Sequence, residues 1–125
     1  MRDPFVLRAL DAMKAAPHER WTVESLAQIV GLSRAAFARR FAETLKTPPL
    51  RWLTKHRLEI AQVRLVTTDD GLAAIAADVG YATEFAFAKA FKREMGVAPG
   101  SFRRAIRSTV RRSTITCSAT FHAAA

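Results

Sequence analysis

Two segments of this 125-residue chain are near-copies of each other: "GLSRAAFARRFAETLKTPP" (31–49) and "GYATEFAFAKAFKREMGVAP" (80–99). Each has a Gly, then Ser or Thr, then Phe-x-x-x-Phe, a basic cluster and a Pro. A chain of this length supports one ordinary domain or two very small units sharing an interface. A copy placed about half a chain length away favours the paired arrangement.

The residues just before each copy say what one unit is. Leu26-Ala27-x-x-Val30-Gly31 precedes the first Phe pair and Ile75-Ala76-x-x-Val79-Gly80 precedes the second, in the same register. A small Ala lets two helices approach closely, an apolar residue follows, and Gly supplies a tight turn at positive φ. This is a helix-turn-helix pattern, in which the second helix of each pair is shaped to lie in the major groove of DNA. One match is weak; two, each leading into a capped helix with Phe at i and i+4, are much stronger.

The rest of the chain punctuates as helices. Asp3-Pro4 is an N-cap followed by Pro at the first helical position, and Phe5, Val6, Ala9, Leu10 and Met13 recur at helical spacing until Pro17. Thr22 opens a second helix with Leu26, Ile29 and Val30 inward, and Ser33 caps a third carrying Phe37, Phe41 and Leu45. Thr47-Pro48-Pro49 starts a long fourth helix over 49–66, with Leu50, Leu53, Leu58, Ala61 and Leu65 inward. Asp70 is read as the cap of a fifth helix with Leu72, Ile75, Ala76 and Val79, and Thr83 as the cap of a sixth with Phe87, Phe91 and Met95. Gly96 ends that helix and Pro99 begins a short seventh through about 106. Strand signals are nearly absent, the weak exception being "STITCSATF" (113–121).

The expected fold is therefore all-α, with about seven helices arranged as two helix-turn-helix subdomains joined by a long central helix. Subdomain one spans 3–48, the central helix 49–66 and subdomain two 67–106; residues 107–125 form a basic tail expected to be disordered.

Charge sharpens the choice of partner. The formal net charge of +9 favours a polyanion, nucleic acid before membrane. Five of the positive charges, Arg103, Arg104, Arg107, Arg111 and Arg112, fall after residue 100; residues 1–100 carry 15 bases and 11 acids, so placement decides more than the total. Stepping at 100° per residue puts Ala35, Arg39, Ala42 and Lys46 opposite the Phe37–Phe41 stripe, with Ala36 and Glu43 flanking. The same step in the sixth helix turns Phe85, Lys89, Lys92 and Arg93 outward. Small or flat residues let a helix enter the groove, and a long cation reaches base edges or phosphates. A single basic helix face is ordinarily only a solvated one. Its recurrence at one register in both copies is what argues for a ligand.

These residues also carry a family resemblance. Residues 5–106 resemble the DNA-binding region of the AraC/XylS family of bacterial transcription regulators, most specifically in "IAADVGYATEFAFAKAFKREMGVAPGSFRR" (75–104) and upstream in "WTVESLAQIVGLSRAAFARRF" (21–41). The resemblance implies a cytoplasmic, sequence-specific DNA-binding regulator whose partner is double-stranded DNA, with RNA polymerase as a further partner. It places the base-reading positions on Ala35, Ala38 and Arg39 in the first recognition helix and on Glu84, Phe85, Ala88 and Lys89 in the second. Ser33, Arg34, Arg40, Thr83, Lys92 and Arg93 complete the expected DNA-contacting set, with Arg40 directed to phosphates or the central helix. Lys46 stands where related sequences often have a helix-ending Gly, and 108–125 matches nothing expected of the family. Most members carry an amino-terminal effector or dimerisation domain, so the chain is either a stand-alone member or a piece of a longer regulator, and a monomer unless such a domain is missing.

Enzymatic, metal and membrane readings find little support. His18, His56 and His122 are scattered, so neither a catalytic nor a metal site and no cofactor is expected; the single Cys117 excludes an internal disulfide and fits a reducing cytosol. No run of about 18 apolar residues marks a membrane span, and the amino terminus lacks the apolar core of a signal peptide. Ser33 and Thr83 read as caps rather than nucleophiles, and Trp21 and Trp52 as core anchors. Two other readings remain: a helical protein-interaction module with an acidic partner, and a non-specific nucleic-acid binder driven by the arginine tail.

Overall fold

The computed structural model describes residues 3–109, which contain seven helices and no strand. They are α1 (Pro4–Ala15), α2 (Val23–Val30), α3 (Arg34–Leu45), α4 (Pro49–Thr67), α5 (Leu72–Val79), α6 (Glu84–Met95) and α7, residues 99–109. The Asp3 carboxylate accepts from the amides of Phe5 and Val6 to start α1. At α2, Thr22 and Ser25 cap reciprocally, each side-chain oxygen accepting from the other's backbone N–H at 2.9–3.0 Å. The start of α5 differs from expectation. Gly71, not Asp70, is the N-cap and has no side chain to cap with, while the Asp70 carboxylate accepts from Arg64 of α4 at 2.5 Å.

The helices build two cores. The first gathers Val6, Ala9, Leu10, Met13, Leu26, Ala27, Val30, Phe37, Phe41 and Leu53, with Trp21 and Trp52 half-buried against it. The second gathers Leu58, Ala61, Leu65, Ile75, Ala76, Val79, Phe87 and Phe91, with Tyr81 and Phe102 packed on its edge. The carboxy-terminal half of α4 thus does for α5 and α6 what α1 does for α2 and α3. Within each copy the Phe rings meet at 5.8 Å between centroids, tilted by 58° in one and 59° in the other, an edge-biased geometry that aromatic pairs prefer.

Two residues expected inside are outside. Ile29 and Leu50 are exposed, since the short α2 buries only Leu26, Ala27 and Val30 and α4 meets the first core through Leu53.

The end of the fold also departs from expectation. Helix α7 continues to residue 109 rather than stopping at 106. Arg103 donates to the carbonyls of Leu65 and Asp70 at 2.8 and 2.7 Å, and Arg107 donates to the Thr68 carbonyl and pairs with Asp69. These two cations satisfy carbonyls at and just beyond the end of α4, so Arg107 belongs to the folded unit and not to a tail. The expected tail and weak strand beyond residue 109, with Arg111 and Arg112, lie outside the described residues.

Candidate nucleic-acid interface

Each second helix is launched by the same local chemistry. Gly31 and Gly80 adopt left-handed backbone at φ 77° and 104°, turning the chain out of α2 and α5. The next amides, of Leu32 and Tyr81, return to the carbonyls of Ala27 and Ala76 at 3.0 and 2.8 Å. The Ser33 hydroxyl then accepts from the amide of Ala36, and the Thr83 hydroxyl from that of Ala86. Both hydroxyls are therefore engaged as caps, as the sequence suggested.

Helix α3 exposes Ala35, Arg39, Ala42, Glu43 and Lys46. Arg39 makes no ion pair or hydrogen bond among the described residues, and the i+4 neighbour Glu43 does not hold it within 4 Å. Ala35 and half-buried Ala38 instead line a shallow apolar depression with Val23, Arg34, Pro48 and Pro49. Arg34 is paired with Glu24 at 3.0 Å, both side chains being more than half exposed, so the contact is easily exchanged.

Arg40 does not stand where the sequence placed it. Its Nε donates to Asp3 Oδ2 at 2.8 Å, and its guanidinium lies 4.7 Å from the centre of the Phe5 ring. This contact ties α3 to the start of α1. The hydrogen bond from Arg40 holds the Asp3 carboxyl below its ordinary pKa, although burial opposes it. Its internal partners thus lie on α1 rather than on the central helix.

Helix α6 exposes Glu84, Phe85, Ala86, Lys89, Lys92 and Arg93, with Ala88 half-buried. The Phe85 ring is 76% exposed on the first turn of the helix, unusual for an aromatic side chain with no partner to cover it. Superposing the two copies pairs Ala35 with Phe85, Arg39 with Lys89, Ala42 with Lys92, and Glu43 with Arg93. The second face is accordingly the more cationic.

The structure brings together two sets of the expected residues: Ala35 with Arg39, and Phe85 with Lys89, Lys92 and Arg93. One residue of importance was not singled out by sequence. Arg57, half-buried in the middle of α4, donates from Nε to the Pro17 carbonyl and from Nη2 to the Glu19 carbonyl, both at 2.7 Å. Burial presses its pKa down. Nothing in its local spacing marks it, because its partners lie about 40 positions away.

A family model described as a helix-turn-helix domain matches residues 26–105, which is most of the folded part. An AraC-like transcription regulator of Streptomyces lividans is 40% identical over 104 residues, 83% of this chain and 34% of that protein. The chain belongs to the AraC-type helix-turn-helix family. The AraC-type relatives include the RCS-specific HTH-type transcriptional activator RclR of Escherichia coli, 45% identical over 104 residues, 83% of this chain and 37% of that protein. The chain thus spans about a third of the length of these curated relatives. Among solved AraC-type structures, the DNA-binding domain of AdpA in complex with a target DNA matches at TM-score 0.78 and 32% identity, covering 86% of this chain and 96% of that one. The carboxy-terminal domain of AraT, a response regulator from Geobacillus stearothermophilus, matches at TM-score 0.79 and 35% identity over 82% and 86% of the two chains. No described helix is long and apolar enough to cross a membrane.

Proposed function

We propose that this chain is the DNA-binding part of a bacterial transcription regulator, and that one copy reads two successive major-groove segments through α3 and α6. The observation that carries the reading is the repeated exposed face, small or flat residues beside free cations, on the second helix of both copies. The DNA-bound state of the AdpA domain supports it, since that relative shares the fold and 32% of its aligned residues. In this reading Arg39, with Ala35 and Ala38 beside it, meets base edges from α3. Phe85, Ala88 and Lys89, flanked by Glu84, do so from α6. Arg34, Lys92 and Arg93 meet phosphates, and Ser33 and Thr83 fix the two helix starts. An Arg free of internal partners is suited to pair both donors with guanine O6 and N7, worth about 1–3 kcal/mol of discrimination.

The test begins with a binding site selected from a random duplex pool. Arg39→Ala should lose about 10- to 100-fold on the selected duplex and little on a scrambled one, at two salt concentrations. Footprinting should give two protected blocks about one helical turn apart. Equal losses on both duplexes, or a strict need for an inverted repeat, would refute the reading.

A further inference from the structure

Two separate parts of the chain converge on the Arg57 guanidinium. Its two bonds at 2.7 Å hold the Pro17 and Glu19 carbonyls, which belong to the α1–α2 loop of the first unit. On its other side lies the α5–α6 turn of the second unit, with the Tyr81 ring centre 5.9 Å from Cζ. Gly80 sits so close that a Cβ built there would fall 2.9 Å from Arg57 Nη2 and 3.0 Å from the His18 Cα. The backbones of the two units therefore touch beside this one side chain.

The loop that Arg57 grips is itself ordered. The Trp21 indole N–H donates to the Ala16 carbonyl at 2.8 Å, and the Glu19 amide returns to the same carbonyl. A planar fork with several fixed donors is suited to span two carbonyls while its face meets a ring; a lysine ammonium is not. Arg57 has no carboxylate partner among the described residues, so what it contributes here is geometry rather than neutralisation. A second link, Arg51 of α4 to Glu94 of α6 at 3.4 Å, is longer and more exposed.

We propose that Arg57 is a positioning residue that locks the second helix-turn-helix unit against the first and so fixes the separation at which α3 and α6 meet DNA. The part concerning DNA rests on the two-segment reading above; the lock itself does not.

The experiment has two arms. In the first, spin labels at Glu43→Cys and Arg93→Cys, with Cys117→Ser, report the α3–α6 distance in the free protein. With Arg57 intact the distance distribution is single and narrow. Arg57→Gln should broaden it at least twofold, and Arg57→Lys, which keeps the charge and loses the fork, should broaden it less while far-UV circular dichroism stays unchanged. In the second arm, the selected duplex is lengthened by one base pair between its two blocks. That insertion rotates one block by about a tenth of a turn. The protein with Arg57 should lose about tenfold or more on this duplex, and both Arg57 variants should lose only about two- to threefold. A narrow distribution in both variants overturns the lock. A broadened distribution with an undiminished spacing penalty overturns its role on DNA. If the protein with Arg57 intact shows no spacing penalty, the two-segment reading fails, and the distance arm alone decides whether Arg57 holds the units.

Discussion

Gly31 and Gly80 occupy matched turns, yet alanine should cost very different amounts at the two. At Gly31 the backbone stands at φ 77° and ψ 28°, and a Cβ would meet nothing within 4 Å. Left-handed backbone costs a non-glycine residue about 1–2 kcal/mol, and the stiffer unfolded chain returns about 0.4–1 kcal/mol. Gly31→Ala should therefore lose roughly 1 kcal/mol. At Gly80, φ of 104° lies further from the region that side chains tolerate, and the new Cβ meets the His18 backbone at 3.0 Å as well as Arg57. The Arg57 end can swing aside, but a backbone Cα cannot move without its loop. Overpacking of this kind adds about 1–3 kcal/mol, giving roughly 2–4 kcal/mol in total. Urea unfolding followed by circular dichroism measures both variants, and the melting temperatures should differ by about 4–8 °C per kcal/mol. In the pair Gly80→Ala with Arg57→Gln the losses should be less than additive, because the two share one contact. Equal losses for Gly31→Ala and Gly80→Ala would show that the two units do not press on each other at this turn, and the argument would fail.

Lys46 ends α3 at φ 60° where the second copy has Gly96, so Lys46→Gly should raise stability by about 0.5–1 kcal/mol, read as a higher melting temperature. Arg103→Ala strips donors from the carbonyls closing α4 and should cost about 2 kcal/mol, whereas Arg104→Ala should stay within about 0.5; urea midpoints at unchanged slope distinguish them. Arg40→Ala should lower stability through loss of its contacts with Asp3 and Phe5, and if those contacts engage it the salt slope of DNA binding should stay unchanged; a reduced slope would show a phosphate contact as well. Asp3 and Asp70 are held below the ordinary carboxyl pKa by hydrogen bonds from Arg40 and Arg64 respectively. Their stabilisation is therefore complete above about pH 4, the unfolded value, and is lost as pH falls through the lower folded values; urea midpoints from pH 6 down to pH 2.5 check the sign.

What could be read from sequence was whatever is local. The caps at Asp3, Thr22, Ser33 and Thr83 act over two or three residues, so identity and spacing suffice to find them. The Phe37–Phe41 and Phe87–Phe91 stripes follow from helical periodicity, and they fix which faces of α3 and α6 are left to meet a ligand. Several misreadings concern side chains whose partner sits on a different helix or turn. Asp70 is claimed by Arg64 rather than capping α5, and Arg40, expected beside phosphates or the central helix, meets Asp3 and Phe5 of the first helix. The sequence places Arg103 in the seventh helix without a partner and Arg107 in the tail, yet both reach back to the end of α4 across more than 30 positions. A long cation carries no local mark of whether it faces carbonyls or solvent.

The distribution of chromophores over the two cores lets each be watched separately. Both tryptophans, Trp21 and Trp52, pack against the first core, and the single tyrosine, Tyr81, packs against the second. On α4, Leu53 serves one core and Leu58 the other, little more than one helical turn apart. Fraying that begins under one core reaches the other within that turn, because a helix propagates order far more readily than it restarts it. Tryptophan emission, reporting one half, and backbone dichroism, reporting both, should therefore trace one and the same melting curve.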